Sequence, residues 1–238
     1  MIEIDLVSLS IAFIPVAMVI AILYAWRGES GTALYAVARM LLQLLLVGYV
    51  LTFIFDSDSS VVVALVLAVM LCAAAWISLR PLAEERAGLL PSAFLSIAVG
   101  GLLVLILVTQ VVLKVDPWYE PRYLLPLGGM IFAGSMNAVS LAAERFYAER
   151  SAGVSADKAL RAAYQASLIP TVNSLFAVGL VSLPGMMTGQ ILSGTSPLVA
   201  ARYQIVVMCM LFGASGLSAA LFLLQNKNRA PVKEKSDE

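Results

Sequence analysis

Seven long apolar runs account for almost the whole chain and constrain its fold more than any other feature. Crossing the hydrocarbon core of a bilayer as an α-helix takes about 20 apolar residues, and each run has about that length. Only 13% of the 238 residues are charged, against about 25% in soluble domains. The sequence therefore predicts an all-α integral membrane protein with seven transmembrane helices, at about residues 6–26, 33–55, 61–79, 91–113, 122–143, 167–192 and 203–224.

The connections between these runs are short, so residues 1–225 are predicted to form a single transmembrane domain. The longest connection, 144–166, reads ERFYAERSAGVSADKALRAAYQA. Gly153 interrupts it, Ser155 suits a helix N-cap and Asp157 suits the positive end of the helix dipole. We expect a short surface helix here, docked on the membrane or on a partner, although any long basic connection has a similar composition. The tail 226–238 is predicted to be disordered and cytoplasmic.

The distribution of Lys and Arg predicts the orientation, because positive charge accumulates on the cytoplasmic side of membrane proteins. With the N-terminus outside and the C-terminus inside, three basic residues lie outside: Lys114, Arg122 and Arg202. The inner side then holds Arg27, Arg80, Arg86, Arg145, Arg150, Lys158, Arg161, Lys227, Arg229, Lys233 and Lys235.

Several function classes are excluded by what the chain lacks. It has no histidine, which is the commonest metal ligand and proton relay. It contains no Gly-Lys pair, so no P-loop can bind ATP, and no nucleophile–base pair indicates an enzyme. Its net charge of zero gives no reason to expect a nucleic-acid partner.

The segment 166–194 combines apolar character with residues that break helices. Pro184 would free the Leu180 carbonyl of a continuous helix and kink it, and a freed carbonyl inside a bilayer needs a partner or a water-filled cavity. Gly185 and Gly189 form a GxxxG pair that fits close helix packing. We therefore expect Pro184, Gly185, Gly189 and Pro170 to act as hinge and close-packing positions of a transport pathway. Kinked membrane helices without a transport role are also common.

Two stripes of polar and sulfur-bearing residues recur at helical spacing. The fifth predicted helix carries Met130, Gly134, Asn137, Leu141 and Glu144 on one face. An amide in lipid needs a partner, so this face should point to protein or to a cavity, or Asn137 simply joins two helices.

The sixth predicted helix carries a comparable stripe of Asn173, Ala177, Pro184 and Met187. Methionine sulfur is a soft metal ligand, although in membrane cores it more often packs. The candidate pathway residues are Asn137, Asn173, Met186, Met187 and Met130. Arg39 and Gln43 share a face of the second helix, where Arg39 either reaches the head groups or forms a buried pair.

Three blocks of sequence carry a resemblance to a known family. They are ARMLLQLLLVGYVL at 38–51, LIPTV at 168–172 and VGLVSLPGMMTGQI at 178–191, followed by Pro197 and YQI at 203–205. Together they resemble the FetB family of ABC transporter permeases, the membrane subunits of a bacterial iron-export system with plant relatives linked to aluminium tolerance. Many members are expected to have Asp where this chain has Asn173, which weakens cation coordination there.

The resemblance implies a permease subunit in the plasma (inner) membrane that exports iron and binds no cofactor itself. A separate ATPase chain would bind ATP and Mg²⁺, and two permease chains would pair to form the pathway. Independently of that family, Glu149 and Gly153 are spaced as in the coupling motif of importer permeases, so we expect the ATPase to act on the 144–166 connection through Glu149, Gly153, Ser155 and Asp157, and on the shorter connections 27–32 and 80–90. Another metal, a sugar nucleotide or a lipid-like cargo stays open, and so does a stand-alone carrier or sensor, although such carriers usually need a deep ionisable group.

Overall fold

The computed structural model of the chain describes residues 5–26, 28, 30–55 and 59–229, without the side chains of Leu6 and Thr52. The described residues form α-helices with one 3-10 turn, Arg80–Leu82, and a π-helical stretch, Leu107–Val112. The all-α prediction is therefore confirmed. Predictions for Arg27, Lys233, Lys235 and the tail from residue 230 fall outside the described residues. The helices are α1 Leu6–Ile11, α2 Ile14–Ala25, α3 Ser30–Phe55, α4 Ser60–Ser78, α5 Arg86–Ile106, α6 Pro121–Ser151, α7 Ala156–Ala177, α8 Gly185–Leu192 and α9 Pro197–Asn226.

Six of the seven predicted spans correspond to helices long and apolar enough to cross a membrane. Within the part of the chain that the structure describes, these are Val7–Ala25, Ser30–Phe55, Ser60–Ser78, Arg86–Val112, Pro121–Ser151 and Pro197–Asn226. The chain is thus a multi-pass membrane protein. The count of seven and the predicted orientation are not confirmed.

The chain divides into two compact units, Met1–Ser57 and Asp58–Glu238. In the first unit α2 packs against α3, and α3 carries Arg39 and Gln43 on an exposed face. In the second unit α6 is central and contacts α4, α5, α7 and α9. That residues 1–225 act as one domain stays a prediction.

Small residues bring the helices of the second unit close together. A Cβ added to Gly100 of α5 would lie 2.8 Å from the backbone nitrogen of Ser218 in α9. One added to Gly128 of α6 would lie 2.7 Å from Leu67 of α4. Ala142 and Ala143 of α6 are fully buried. Close approach of this kind supplies the van der Waals packing that holds membrane helices together.

The predicted surface helix within 144–166 begins at Ser155 as expected, but it is not a short separate element, because α6 and α7 extend through this region as a helical hairpin. α6 runs on to Ser151, and α7 begins at Ala156 with Ser155 as its N-cap. Gly153 has a positive φ of 82°, its N–H donates to Arg150 O, and the Val154 N–H donates to Glu149 O. These two bonds form a Schellman motif, which needs glycine in the left-handed conformation. We call residues 144–166 the α6–α7 hairpin.

The predicted continuous helix over 167–192 is also wrong. α7 ends at Ala177, residues 178–184 are non-helical, and α8 covers only Gly185–Leu192. We call residues 178–184 the break. The sequence predicts one helix with a kink at Pro184, whereas the structure has two helices separated by a turn.

Candidate functional site: cavities beside the helix break

Glycine and proline fix the two ends of the break. Val178 leaves the helix with ψ of 129°, and Gly179 turns the chain with φ of 80°. The Ala177 carbonyl then accepts from the N–H groups of the next turn, among them Val181 at 2.8 Å. Pro184 is the extended N-cap of α8, where its missing N–H costs no hydrogen bond, and its carbonyl accepts from the Thr188 N–H at 3.0 Å and from Oγ1 at 3.1 Å.

Two adjoining cavities lie between α6, α9 and this broken segment. The first has a volume of about 200 Å³ and the second about 320 Å³. They share Ser174 of α7 with Met208 and Leu211 of α9. Non-helical backbone at membrane depth is tolerated where it lines a cavity, and the second cavity is lined by Val178, Ser182 and Pro184 of the break and its edge.

The first cavity is bordered by a row of hydroxyl groups and one amide. Ser167 and Ser174 donate to backbone carbonyls of their own helix, at 2.8 Å to Tyr164 O and 3.0 Å to Pro170 O. The buried Ser215 Oγ has no hydrogen-bond partner among the described residues. The residues that line this first cavity are Gly134, Asn137, Ala138, Leu141, Ser167, Pro170, Thr171, Ser174, Met208, Leu211 and Ser215.

The second cavity combines methionine side chains with a buried amide. Met130 of α6, Met186 of α8 and Met208 of α9 all line it. Gln204 of α9 lines it too; this residue is only 5% exposed, and its Oε1 has no donor among the described residues. The residues that line this second cavity are Met130, Ser174, Val178, Ser182, Pro184, Gly185, Met186, Gln204, Val207, Met208 and Leu211.

Neither cavity has a charged side chain in its lining. No group of three or more His, Cys, Asp or Glu side chains that could hold a metal occurs among the described residues. The site therefore offers thioether sulfur, hydroxyl and amide oxygen to a ligand. These groups suit a small, weakly hydrated species better than a hard multivalent cation or a phosphate.

The opposite end of the second unit, at the tip of the α6–α7 hairpin, is charged. Arg145 pairs with Glu149 one helical turn away, and Arg150 Nη1 donates to Val154 O at 2.9 Å. Asp157 Oδ1 lies 2.7 Å from Lys227 Nζ just beyond the end of α9. The hydrogen bond and positive charge of Lys227 lower the pKa of Asp157 below its usual 3.8.

The structure brings some predicted site residues to the cavities and leaves others outside. Four of the five residues of the predicted α6 stripe, Met130, Gly134, Asn137 and Leu141, line the cavities, whereas Glu144 is exposed and lines neither. Met186, Pro184, Gly185 and Pro170 also line them. Asn173 and Met187 line neither, and Gly189 is exposed.

Within the part of the chain that the structure describes, no helix packs closely against Gly185 or Gly189. An added Cβ at either position would meet nothing within 4 Å among the described residues. Glu149, Gly153, Ser155 and Asp157 lie together around the hairpin tip. The transport and coupling roles of all these residues stay predictions.

Sequence reasoning missed Gln204, Ser174 and Ser182 as lining residues and gave Met208 no special place. The signal that could have found Gln204 is an amide in the first half of α9, directly before the apolar run that follows it, since polar groups in membrane helices usually face the protein interior. No comparable signal marks Ser174 or Ser182, because hydroxyls are readily tolerated on lipid-facing surfaces.

Comparison with known proteins gives matches along almost the whole length. The model of the uncharacterised protein family UPF0014 matches residues 6–155 and 150–230. The chain is 39% identical over 213 residues, 82% of each chain, to a UPF0014 membrane protein of Synechocystis. It is 33% identical over 230 residues to the "Probable iron export permease protein FetB" of Escherichia coli, covering 89% of this chain and 87% of that one.

A plant relative is similar at the same level. Over 208 residues, 79% of this chain and 73% of the relative, the chain is 34% identical to the "Protein ALUMINUM SENSITIVE 3" of Arabidopsis thaliana. No solved structure matches the chain.

Proposed function

The chain belongs to the UPF0014 family of membrane proteins, and from that premise we propose that it is the permease subunit of an ABC transporter that exports iron or another metal ion. The name of the Escherichia coli relative, a probable iron export permease, supports metal export. The observation that carries the proposal is the coincidence of a broken helix with two cavities. Discontinuous helices of this kind line the substrate sites of transporters.

The proposed pathway runs through the two adjoining cavities. Residues of α6 and α9 form its fixed wall, and the break with α8 forms the wall that moves. Gly179 and Pro184 are the natural pivots, because backbone turns at element ends absorb changes in φ and ψ. Two copies of the chain in the plasma (inner) membrane would enclose the pathway.

The α6–α7 hairpin is the proposed contact with the ATPase. α6 has 31 residues, which at 1.5 Å per residue span about 46 Å, well beyond the roughly 30 Å hydrocarbon core. The charged end of α6 and the turn at Gly153 would therefore project into the cytoplasm. Movement of the hairpin by the ATPase would pass along α7 directly to the break.

The cavity lining argues against two alternatives. A sugar nucleotide carries a diphosphate that calls for Arg or Lys, and neither lines the cavities. A proton-coupled carrier calls for a deep ionisable group, and the lining offers none.

The test is to tag the full chain, solubilise it from its native membranes and identify the proteins that copurify. We expect an ABC ATPase in stoichiometric amounts, and ATP hydrolysis by the complex that rises when the transported metal ion is added, tested with Fe(II) under anaerobic conditions and with Ag(I). A chain that copurifies without an ATPase, and that moves metal in vesicles with a proton gradient alone, would contradict the proposal.

A further inference from the structure

Three methionines from three separate helices line the second cavity. Met130 is on α6, Met186 on α8 and Met208 on α9, so only the fold brings them together. Met208 is buried, at 9% exposure, and the other two are half-buried. Met187, the immediate neighbour of Met186, does not line the cavity. The convergence therefore belongs to this cavity and is not a general enrichment in methionine.

A buried oxygen in the same cavity lacks a donor. Gln204 Oε1 is shielded from solvent and accepts no hydrogen bond from the described residues. An unsatisfied buried acceptor costs about 1–3 kcal/mol. Rotation of the Gln204 amide would turn this oxygen towards a cation in the cavity and satisfy it, so the three methionines carry the assignment and Gln204 adds to it.

The donor set selects the chemical class of that ligand. Hard cations such as Mg²⁺ and Ca²⁺ take carboxylates and carbonyls, and the lining has no carboxylate. Thioether sulfur selects soft ions such as Cu(I). A single positive charge also costs less to bury without a counter-ion than two or three would.

We propose that this cavity binds a soft monovalent cation of the Cu(I) and Ag(I) class through Met130, Met186 and Met208, with the Gln204 amide oxygen as a further ligand. The role of this ion as cargo rests on the proposed function, whereas its binding to the chain does not. The cavity is thus the cargo site of the permease, and its thioethers set the preference for soft over hard metals.

Direct titration of the full chain in lipid nanodiscs with Ag(I), in chloride-free buffer, tests the binding. Both cysteines, Cys72 and Cys209, are free and exposed, so the parent for all measurements carries Cys72→Ala and Cys209→Ala. We expect one Ag(I) per chain. Met186→Leu and Met208→Leu should each weaken binding about 10-fold or more, as loss of metal-site residues typically does.

Met187→Leu is the matched control, because it removes the adjacent thioether outside the cavity and should leave Ag(I) affinity unchanged. Thermal melting of each variant establishes that it is folded. Fe(II) and Mn(II) should not displace Ag(I) at equal concentration, whereas Gln204→Glu should raise Mn(II) affinity by adding a hard ligand.

Three results would overturn the inference: no Ag(I) bound by the folded parent, equal weakening by Met187→Leu and Met186→Leu, or displacement of Ag(I) by equimolar Fe(II). If the ATPase copurifies but Ag(I) does not bind, the inference alone fails. If Ag(I) binds as described but no ATPase copurifies, the proposed function alone fails.

Discussion

Single glycines in the second unit have opposite structural roles that their sequence context does not distinguish. Gly100 and Gly128 sit where a Cβ would collide with a neighbouring helix, whereas Gly185 and Gly189 face open space. The sequence predicts close packing at Gly185 and Gly189 because the GxxxG motif that they form is known from helix dimers. The close approaches at Gly100 and Gly128 follow from the tertiary packing of α4, α5, α6 and α9, which no local pattern encodes.

Gly100→Ala should therefore destabilise the chain, because the new methyl group would lie 2.8 Å from the Ser218 backbone nitrogen and α9 would have to shift. Overpacking of this kind costs about 1–3 kcal/mol, which thermal melting in nanodiscs would register as a lower Tm. Gly189→Ala is the control and should melt at the parental temperature. Equal melting temperatures for both variants would contradict the packing of α5 against α9.

Gln204→Leu should stabilise the metal-free chain, because it removes a buried acceptor that has no donor. The gain expected from relieving such a group is about 1–3 kcal/mol in the free energy of unfolding. The same variant should lose metal stimulation of the ATPase in the complex. A lower Tm would instead identify Gln204 as a hydrogen-bonded structural residue.

At the scale of elements, the sequence predicts the places of the long helices well because length and hydropathy determine them. The α6 stripe is predicted correctly for the same reason: one uninterrupted helix keeps Met130, Gly134 and Asn137 in phase. The stripe from Asn173 to Met187 fails because it crosses the break, and the turn at Gly179 changes the phase of everything after it. Gly179 and Pro184 are visible in the sequence, but a kinked helix and two separate helices satisfy the same pattern.

The sequence also fails to predict where α6 ends. The charged residues from Glu144 onward end the apolar run, yet nothing before Gly153 ends the helix. A membrane helix can continue into water when its polar face is solvated there, so hydropathy marks the edge of the membrane and not the end of the helix.

The α6–α7 hairpin yields a pH-dependent prediction through Asp157 and Lys227. The folded-state pKa of Asp157 is lowered by Lys227, so the ion pair stabilises the fold above the unfolded pKa and loses that effect as the pH falls through the folded value. At pH 7, Asp157→Asn should melt at a slightly lower temperature than the parent. The difference should shrink once the pH drops below about 3.8 and then vanish.

Lys227→Met should reproduce this pH dependence, because it removes the other half of the pair. A difference between parent and Asp157→Asn that stays constant from pH 7 to pH 3 would contradict the assignment.

At the scale of the whole molecule, a charged hairpin at one end of the second unit is joined to a broken helix beside two cavities. α7 connects them as a single helix from Ala156 to Ala177. Ser174, one of the three residues that line both cavities, lies in the last turn of this helix, and its neighbour Asn173 lines neither cavity. These adjacent residues allow a matched pair of variants that introduce the same side chain at a lining and at a non-lining position.

The decisive measurement is ATP-driven efflux of Fe(II), and in parallel of Ag(I), from vesicles that contain the chain and its copurified ATPase. Ser174→Phe would fill the wall common to both cavities, and Asn173→Phe would place the same ring outside them. We predict that Ser174→Phe abolishes efflux of the transported ion while the complex still assembles, and that Asn173→Phe keeps it. Efflux that survives Ser174→Phe, or that Asn173→Phe abolishes instead, would contradict a pathway through these cavities.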